Sequence, residues 1–447
     1  MMEIKGKRVL VVGLRKSGVS AANLLAGSGA EVTVTDMLPA DELGEFAGKL
    51  LPSVRLALGG HPNGLFEGTD LIVLSPGVPT GIEPIKKARL KGIKVIGELE
   101  LAYLMAGGAV PFYAVTGTNG KSTTVTLLDL MLRKAGKKTL FGGNIGNAMT
   151  GEVQKTGDCA VVEVSSFQLE TIETFRPHIA VILNITPDHM DRYRSMDEYR
   201  EAKERISLNQ TRDDFLVLNH DDPETMAALK KDIKAQVFYF SRAETVKGVY
   251  TRAGVVYTNI DGPAPLIGAN EIRIKGVHNL ENAMAASAMA LLAGVPPDAV
   301  REALREFPGL PHRLEFVREL GGVRFVNDSK GTNIGAVAKS LEGFEKGVVL
   351  IAGGRDKAGD FTALRPLIKG RVKAVVLIGE AAEKIEKAVC DLTGCRYAGS
   401  MEEAVRLAMS LASKGDTVLL SPACASFDMF RDFEDRGRVF KEAVCRL

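Results

Sequence analysis

The chain has 447 residues, 45% of them hydrophobic and 25% charged, an ordinary balance for globular domains. Its 57 basic and 55 acidic residues leave a net charge of +2, which excludes a broad electrostatic pull toward nucleic acid or membrane. The length predicts roughly two to four domains, and no apolar stretch reaches the ~20 residues of a membrane span. The charged start, running straight into a strand, reads as no signal peptide.

Residues 1–98 predict a first α/β domain. Short apolar or β-branched runs at 8–12, 31–35, 71–74 and 94–96 alternate with helical stretches such as 20–26, the pattern of a Rossmann-like parallel sheet with helices on its faces. The turn Gly13-Leu14-Arg15-Lys16-Ser17-Gly18, with Asp36 ending the second strand, approaches a nucleotide-binding fingerprint. Arg15 stands where a second glycine would let backbone approach a pyrophosphate, which argues against a nicotinamide cofactor. A basic pair, Arg15-Lys16, could meet a diphosphate from the side, and a plain tight turn fits the same residues. A second turn, Ser75-Pro76-Gly77-Val78-Pro79, offers free N–H groups after another strand.

Residues 99–309 predict a central domain with a parallel sheet. An apolar run at 112–115 leads into Gly117-Thr118-Asn119-Gly120-Lys121-Ser122-Thr123 and an amphipathic helix through Leu132. Such a turn wraps backbone N–H groups around phosphates at the positive end of a helix. Lys121 adds a cation for the outer phosphates and Ser122 a hydroxyl for Mg²⁺, so a nucleoside triphosphate is the expected ligand. Only two residues separate Gly117 from Gly120, and Val115 sits where the common loop has its first glycine. This compact T-G-T-N-G-K-S version resembles that of the Mur ligase family, ATP-dependent amide ligases that build peptidoglycan peptides and polyglutamyl folates.

Further strands are expected at 159–164 and 179–183, and a small antiparallel element within 238–274. An alanine-rich helix follows at 279–293, and Pro308-Gly309-Leu310-Pro311 reads as a linker. Glu163 ends a strand near the phosphate loop, placed either to hold Mg²⁺ or to cap the next helix. His189 sits in a polar strand-end loop, as a ligand or gate. In a helix over 197–209, Tyr199, Lys203 and Ile206 share one face, so Lys203 points where apolar groups point. A desolvated lysine keeps more of its amine neutral, and neutral amine can capture CO₂ as a carbamate. A buried salt bridge to a glutamate is the alternative.

Residues 310–447 alternate again, with strands at 323–326, 348–351, 374–378 and 417–420 and helices at 380–389 and 402–411, a second Rossmann-like domain. The five cysteines form no C-x-x-C pair or zinc spacing and read as reduced thiols in a cytoplasmic protein. Asn327-Asp328-Ser329-Lys330-Gly331-Thr332-Asn333, Gly353-Gly354-Arg355-Asp356-Lys357 and the stretch from Ser421 through Gly437 resemble the D-glutamate-adding branch of the same family.

That resemblance implies UDP-N-acetylmuramoyl-L-alanine and D-glutamate as substrates, an acyl-phosphate intermediate, and two Mg²⁺ ions. It assigns Ser17, Asp36, Ser75, Asn144 and His189 to the UDP-sugar, and Asn279 and Asn282 to ATP. Capping of the alanine-rich helix is the alternative for Asn279. His312-Arg313, Asp328 and Lys330 are implied to reach ATP, and Thr332, Lys357, Ser426 and Phe433 to hold D-glutamate. Ser122 and Glu163 are the expected ligands of one ion, His189 and carbamylated Lys203 of the other. The expected enzyme is a monomer with no nucleic-acid partner and no membrane insertion, hinged near residues 98 and 309. A folate polyglutamate ligase would not need the UDP-binding first domain. A regulatory GTPase would carry N-K-x-D, which is absent. A nicotinamide dehydrogenase is opposed by Arg15 and by the phosphate loop.

Overall fold

The computed structural model of the chain describes residues 3–190, 192–229, 233–356 and 359–447. Among these the strands form three sheets, one per expected domain.

The first sheet contains β1 (Arg8–Val12), β2 (Glu31–Asp36), β3 (Arg55–Leu58), β4 (Leu71–Leu74) and β5 (Lys94–Gly97), all parallel, in the order β3-β2-β1-β4-β5. Successive residues face opposite sides, so Val9 and Val11 enter one apolar cluster and Leu10 and Val12 another. β3 is not anticipated by the sequence, because its RLAL run is half exposed at the sheet edge.

The second sheet holds β6 (Phe112–Thr116), β7 (Thr139–Gly143), β8 (Cys159–Glu163), β9 (Ile179–Ile182), β10 (Phe215–Asn219), β11 (Gln236–Ser241), β12 (Gly248–Arg252), β13 (Val255–Asn259) and β14 (Pro263–Gly268). Its order is β14-β13-β12-β11-β10-β9-β6-β8-β7. Only the β12-β13-β14 end is antiparallel, and it continues the parallel sheet through β11 rather than standing apart. The third sheet holds β15 (Glu315–Leu320), β16 (Val323–Asn327), β17 (Val348–Gly353), β18 (Val372–Ile378), β19 (Gly394–Tyr397) and β20 (Thr417–Leu420), in the order β15-β16-β20-β17-β18-β19, antiparallel only at β15. Val348 and Leu350 pack on one face, Val349 and Ile351 on the other.

The described residues divide into two compact units. One comprises residues 1–185, 189–271 and 281–305, the other residues 186–188, 272–280 and 306–447. The expected hinge near residue 98 is a pinned junction instead. A helix, Glu98–Ala106, starts directly after β5. Its buried Glu98 accepts Thr150 N at 2.7 Å and Thr150 Oγ1 at 2.8 Å. Glu100, also buried, accepts Glu173 N at 3.0 Å, Thr174 N at 2.8 Å and Phe175 N at 2.9 Å. The sequence shows these only as acids in an amphipathic run; what they satisfy lies some 50 to 75 residues further on.

The cysteines need one correction. Cys390 and Cys395 are joined as a disulfide, their Cα atoms 5.8 Å apart across the turn into β19. The turn brings together two residues whose spacing matches no C-x-x-C pattern. Cys159 and Cys445 are free thiols. No helix among the described residues is long and apolar enough to cross a membrane.

Glu100→Ala strands three buried or half-buried N–H groups at once. It is expected to cost about 2–4 kcal/mol, read as a fall in the thermal midpoint of the unit that contains residues 1–185.

Candidate active site

The phosphate loop lies between β6 and the helix Lys121–Lys134. Gly117 and Gly120 adopt φ of 149° and 87°, a region that L side chains rarely enter. A Cβ on Gly120 would collide with Asn282 Oδ1, and one on Gly117 with the Leu183 side chain. Asn184, at the end of the neighbouring strand, braces the turn. Thr118 N donates to its carbonyl at 2.8 Å and Asn119 N to its Oδ1 at 2.9 Å, while its Nδ2 donates to Asn119 O at 3.1 Å. Lys121 Nζ donates to Gly117 O and Thr118 O, each at 2.9 Å, and so lies against the same turn. Ser122 and Thr123 are buried in the first turn of the helix.

Glu163 pairs with Val115 in the β6–β8 register, two residues before Gly117. It is buried. Its Oε1 accepts Asn144 Nδ2 at 2.7 Å, and among the described residues Oε2 has no hydrogen-bond partner. A buried carboxylate oxygen left over beside a phosphate loop fits a Mg²⁺ ligand. The capping alternative fails: the helix Ser166–Leu169 is capped by Ser165 in a capping box with Gln168. Asn144, expected at the UDP-sugar, is bound to Glu163 by its side chain and by its own N–H at 2.9 Å.

Lys203 lies on the helix Met196–Glu204, which gives way to a 3₁₀ turn, Arg205–Ser207, earlier than the expected 197–209 helix. The predicted inward face is real. Tyr199, Lys203 and Ile206 are all buried. Lys203 Nζ donates to Gly117 O at 2.9 Å and stands 4.5 Å from the Tyr199 ring centroid. Tyr199 OH lies 3.2 Å from Thr118 Oγ1. The helix therefore aims a lysine and a phenol at the phosphate loop. His189 is exposed, in a left-handed backbone conformation (φ 58°), its ring 4.8 Å from that of Phe167. Among the described residues no cluster of three or more His, Cys, Asp or Glu is grouped as a metal site. The candidate donors thus include one buried carboxylate, one imidazole and a lysine that must change its chemistry to ligate.

The two asparagines expected at ATP part company. Asn282 is buried against Gly120, with Thr124 Oγ1 donating to its Oδ1 at 3.4 Å. Asn279 lies inside the helix Val277–Leu292 rather than capping it, and its Nδ2 donates to Lys275 O at 2.9 Å.

In the first sheet, Asp36 is a brace. Its Oδ2 accepts Leu14 N at 2.6 Å and its Oδ1 accepts Leu38 N at 3.0 Å. Ser75 Oγ donates to Gly13 O at 2.8 Å, tying the two turns together. Ser17 is half-buried in the first helical turn, beside the exposed Arg15 and Lys16. A cavity of about 580 Å³ opens beside Gly13, Asp36, His61, Val78 and Pro79.

In the other unit Asp328 follows β16, buried, with Oδ2 accepting Ser421 Oγ at 2.6 Å and Ser340 Oγ at 2.7 Å. Its Oδ1 accepts Leu314 N at 3.3 Å. Lys330 lays its ammonium 4.3 Å from the Phe433 ring centroid, and Thr332 is half-buried beyond it. Ser426 is buried after β20, and Arg313 is half-buried between His312 and Leu314, both at positive φ. Lys357 lies outside the described residues.

Sequence reasoning missed Arg436, which is wholly buried. Its guanidinium donates to Ser329 Oγ at 3.0 Å, Ser329 O at 2.8 Å, Cys424 O at 3.2 Å and Ala425 O at 3.3 Å. Burial pulls it down to about 10. It ties the loop bearing Asp328, Lys330 and Thr332 to the loop bearing Ser426. Its only sequence signal is membership in the stretch that ends at Gly437.

Models of known families match three successive stretches: a Mur ligase MurD-like N-terminal domain over residues 7–97, a Mur ligase middle domain over 115–290, and a Mur ligase glutamate ligase domain over 312–424. The UDP-N-acetylmuramoylalanine--D-glutamate ligase of Geotalea daltonii is 48% identical over 450 residues, spanning 100% of this chain and 99% of that protein. The ligase of the same name from Thermoanaerobacter pseudethanolicus is 45% identical over 455 residues, spanning 100% of both. Among solved structures, UDP-N-acetylmuramate-alanine ligase MurC from Thermotoga maritima aligns with a TM-score of 0.63 at 20% identity, covering 98% of this chain and 99% of that one. The MurF ligase from Thermotoga maritima in complex with ADP aligns with a TM-score of 0.62 at 16% identity, covering 99% and 96%. These two share the α/β fold.

Burial outweighs the hydroxyl donors at Asp328 and pushes its carboxyl up to about 6. A raised acid holds its proton more tightly in the folded state, so its contribution is fully present below about pH 4 and is lost as pH rises through about 6. Asp328→Asn should remove that slope, seen as a smaller fall in thermal midpoint between pH 4 and pH 7 than in the unsubstituted protein.

Proposed function

The chain belongs to the Mur ligase family, and on that footing we propose that it joins D-glutamate to UDP-N-acetylmuramoyl-L-alanine, converting ATP to ADP and phosphate, as a step in building peptidoglycan precursors. The observation that carries the reading is the braced phosphate loop with Lys121 folded against it and Glu163 two residues upstream in register.

The carboxylate of the alanyl group is a poor electrophile. It attacks the γ-phosphorus of ATP, ADP leaves, and an acyl phosphate forms. The amine of D-glutamate then attacks the carbonyl carbon, and phosphate leaves from the tetrahedral intermediate. In this scheme the N–H groups of Gly120–Thr123 at the start of the helix and the Lys121 side chain hold the phosphates and offset charge as the carboxylate approaches, while those of Thr118 and Asn119 stay with Asn184. Asn282 sets the loop from behind through Gly120. Asn279, Arg313, Asp328 and Lys330 serve the ATP side, with Asp328 acting through Ser340 and Ser421 as a positioning residue.

Mg²⁺ would supply charge neutralisation for the phosphates. Ser122 and Glu163 would hold one ion, and His189 with carbamylated Lys203 the other. The leftover Glu163 oxygen supports the first assignment, and the burial of Lys203 beside Gly117 O supports the second. Ser17, Asp36, Ser75 and Asn144 belong to the nucleotide-sugar side. Thr332, Lys357, Ser426 and Phe433 hold D-glutamate: the lysine pairs with a carboxylate, the hydroxyls donate to its oxygens, and the ring forms an apolar wall. A nucleoside triphosphate and a nucleotide-activated sugar as substrates go with a cytoplasmic location. Because one chain carries all three domains, a monomer suffices.

Three measurements test this. Lys121→Ala should abolish phosphate release with UDP-N-acetylmuramoyl-L-alanine, ATP and D-glutamate, and Lys357→Ala should raise the KM for D-glutamate about tenfold or more with a smaller effect on the KM for ATP. Protein equilibrated with ¹³C-bicarbonate should show a carbamate carbon resonance that Lys203→Met removes.

A further inference from the structure

We infer that His61 reads the base of the nucleotide sugar, its Nε2 accepting the imide N3–H of a uracil ring seated in the cavity beside Gly13. The assignment rests on the nucleotide-sugar reading above.

The argument begins with one hydrogen. Thr35 is fully buried on β2, and its Oγ1 lies 2.9 Å from Gly60 O and 3.0 Å from His61 Nδ1. A carbonyl oxygen can only accept, so the single hydroxyl hydrogen goes to Gly60. The remaining lone pair of Oγ1 faces Nδ1, which must therefore carry the ring's proton. A neutral imidazole has one N–H, so Nε2 is left as an acceptor. Burial lowers the basicity of His61 against the opposing pull of Asp36, which keeps the ring neutral at neutral pH.

His61 lines the cavity of about 580 Å³ together with Gly13, Asp36, Val78, Pro79 and Ile82. Asp36, the acid there, has one oxygen on Leu14 N and the other on Leu38 N. Among the described residues Nε2 has no protein hydrogen-bond partner. The cavity is thus mainly apolar, with an oriented acceptor in its wall. Uracil presents a donor, N3–H, between two carbonyls. Cytosine presents a bare N3 at the same place, so acceptor would face acceptor. A site built around one hydrogen bond rejects the analogue that cannot make it.

The test measures UDP and CDP as competitors of UDP-N-acetylmuramoyl-L-alanine in the phosphate-release assay, and their direct binding by calorimetry. The unsubstituted protein should prefer UDP by about tenfold or more. In His61→Leu that ratio should fall to about twofold or less, with UDP losing more than CDP. Thr35→Val, which removes the hydroxyl that fixes the tautomer, should also lower the ratio. His61→Gln keeps an acceptor oxygen and should keep UDP ahead, which guards against a misfolded leucine variant. An unchanged ratio in His61→Leu, or equal weakening of UDP and CDP, overturns the assignment. Preference for UDP in calorimetry without phosphate release would instead overturn the ligase reading and leave the base assignment standing.

Discussion

The backbone of Gly117–Gly120 has to be held in a conformation that most residues cannot adopt. Asn184 does much of this, because one residue supplies a carbonyl, an amide oxygen and an amide nitrogen to three backbone groups of the turn. Asn282 closes the opposite side against Gly120, and Tyr199 and Lys203 meet the loop from the helix Met196–Glu204. Both Lys121 and Lys203 donate to the Gly117 carbonyl. Two lysine side chains thus converge on one oxygen of the loop. Among the described residues the Glu163 oxygen without a hydrogen-bond partner lies nearby in register.

The other unit solves a similar problem with buried polar groups. Asp328 gathers Ser340, Ser421 and Leu314, and Arg436 gathers Ser329, Cys424 and Ala425. Neither makes a direct hydrogen bond to the other, yet both fasten the loops after β16 and β20. Such groups are costly to bury and tolerable only when satisfied. Here, apart from Ser340 in the helix Ile334–Glu342, their partners come from loops near the residues proposed for the amino acid and the nucleotide. The same economy appears in the first sheet, where Asp36 and Ser75 spend their polar atoms on backbone and leave His61 to face the cavity.

Much of the architecture was legible in the chain. Strand cores such as 112–115 and 418–420 are uninterrupted apolar runs, because a parallel sheet covered on both faces demands them. Edge strands were not: Arg55–Leu58 and Gly394–Tyr397 are half exposed and look like loops. Lys203 was legible because helical periodicity puts it on the face of Tyr199 and Ile206. Asn184 and Arg436 were not, since an asparagine or arginine in a polar stretch carries no local mark of what it will reach. The disulfide between Cys390 and Cys395 was likewise decided by a turn.

The sequence by itself determined the alternation of strands and helices, the glycine turn with its lysine, and the family motifs in all three domains. Each of these is a property of neighbouring residues, set by backbone period and by which side chains a turn tolerates. Only the tertiary structure decided that the junction at residue 98 is pinned, that Asp36 and Asp328 brace backbone and hydroxyls, and that Thr35 Oγ1 meets Nδ1 of His61. Those outcomes depend on donors and acceptors between 12 and 93 residues apart finding one another. A polar side chain's role is set by the partner that satisfies it, and that partner is known only after the chain has folded.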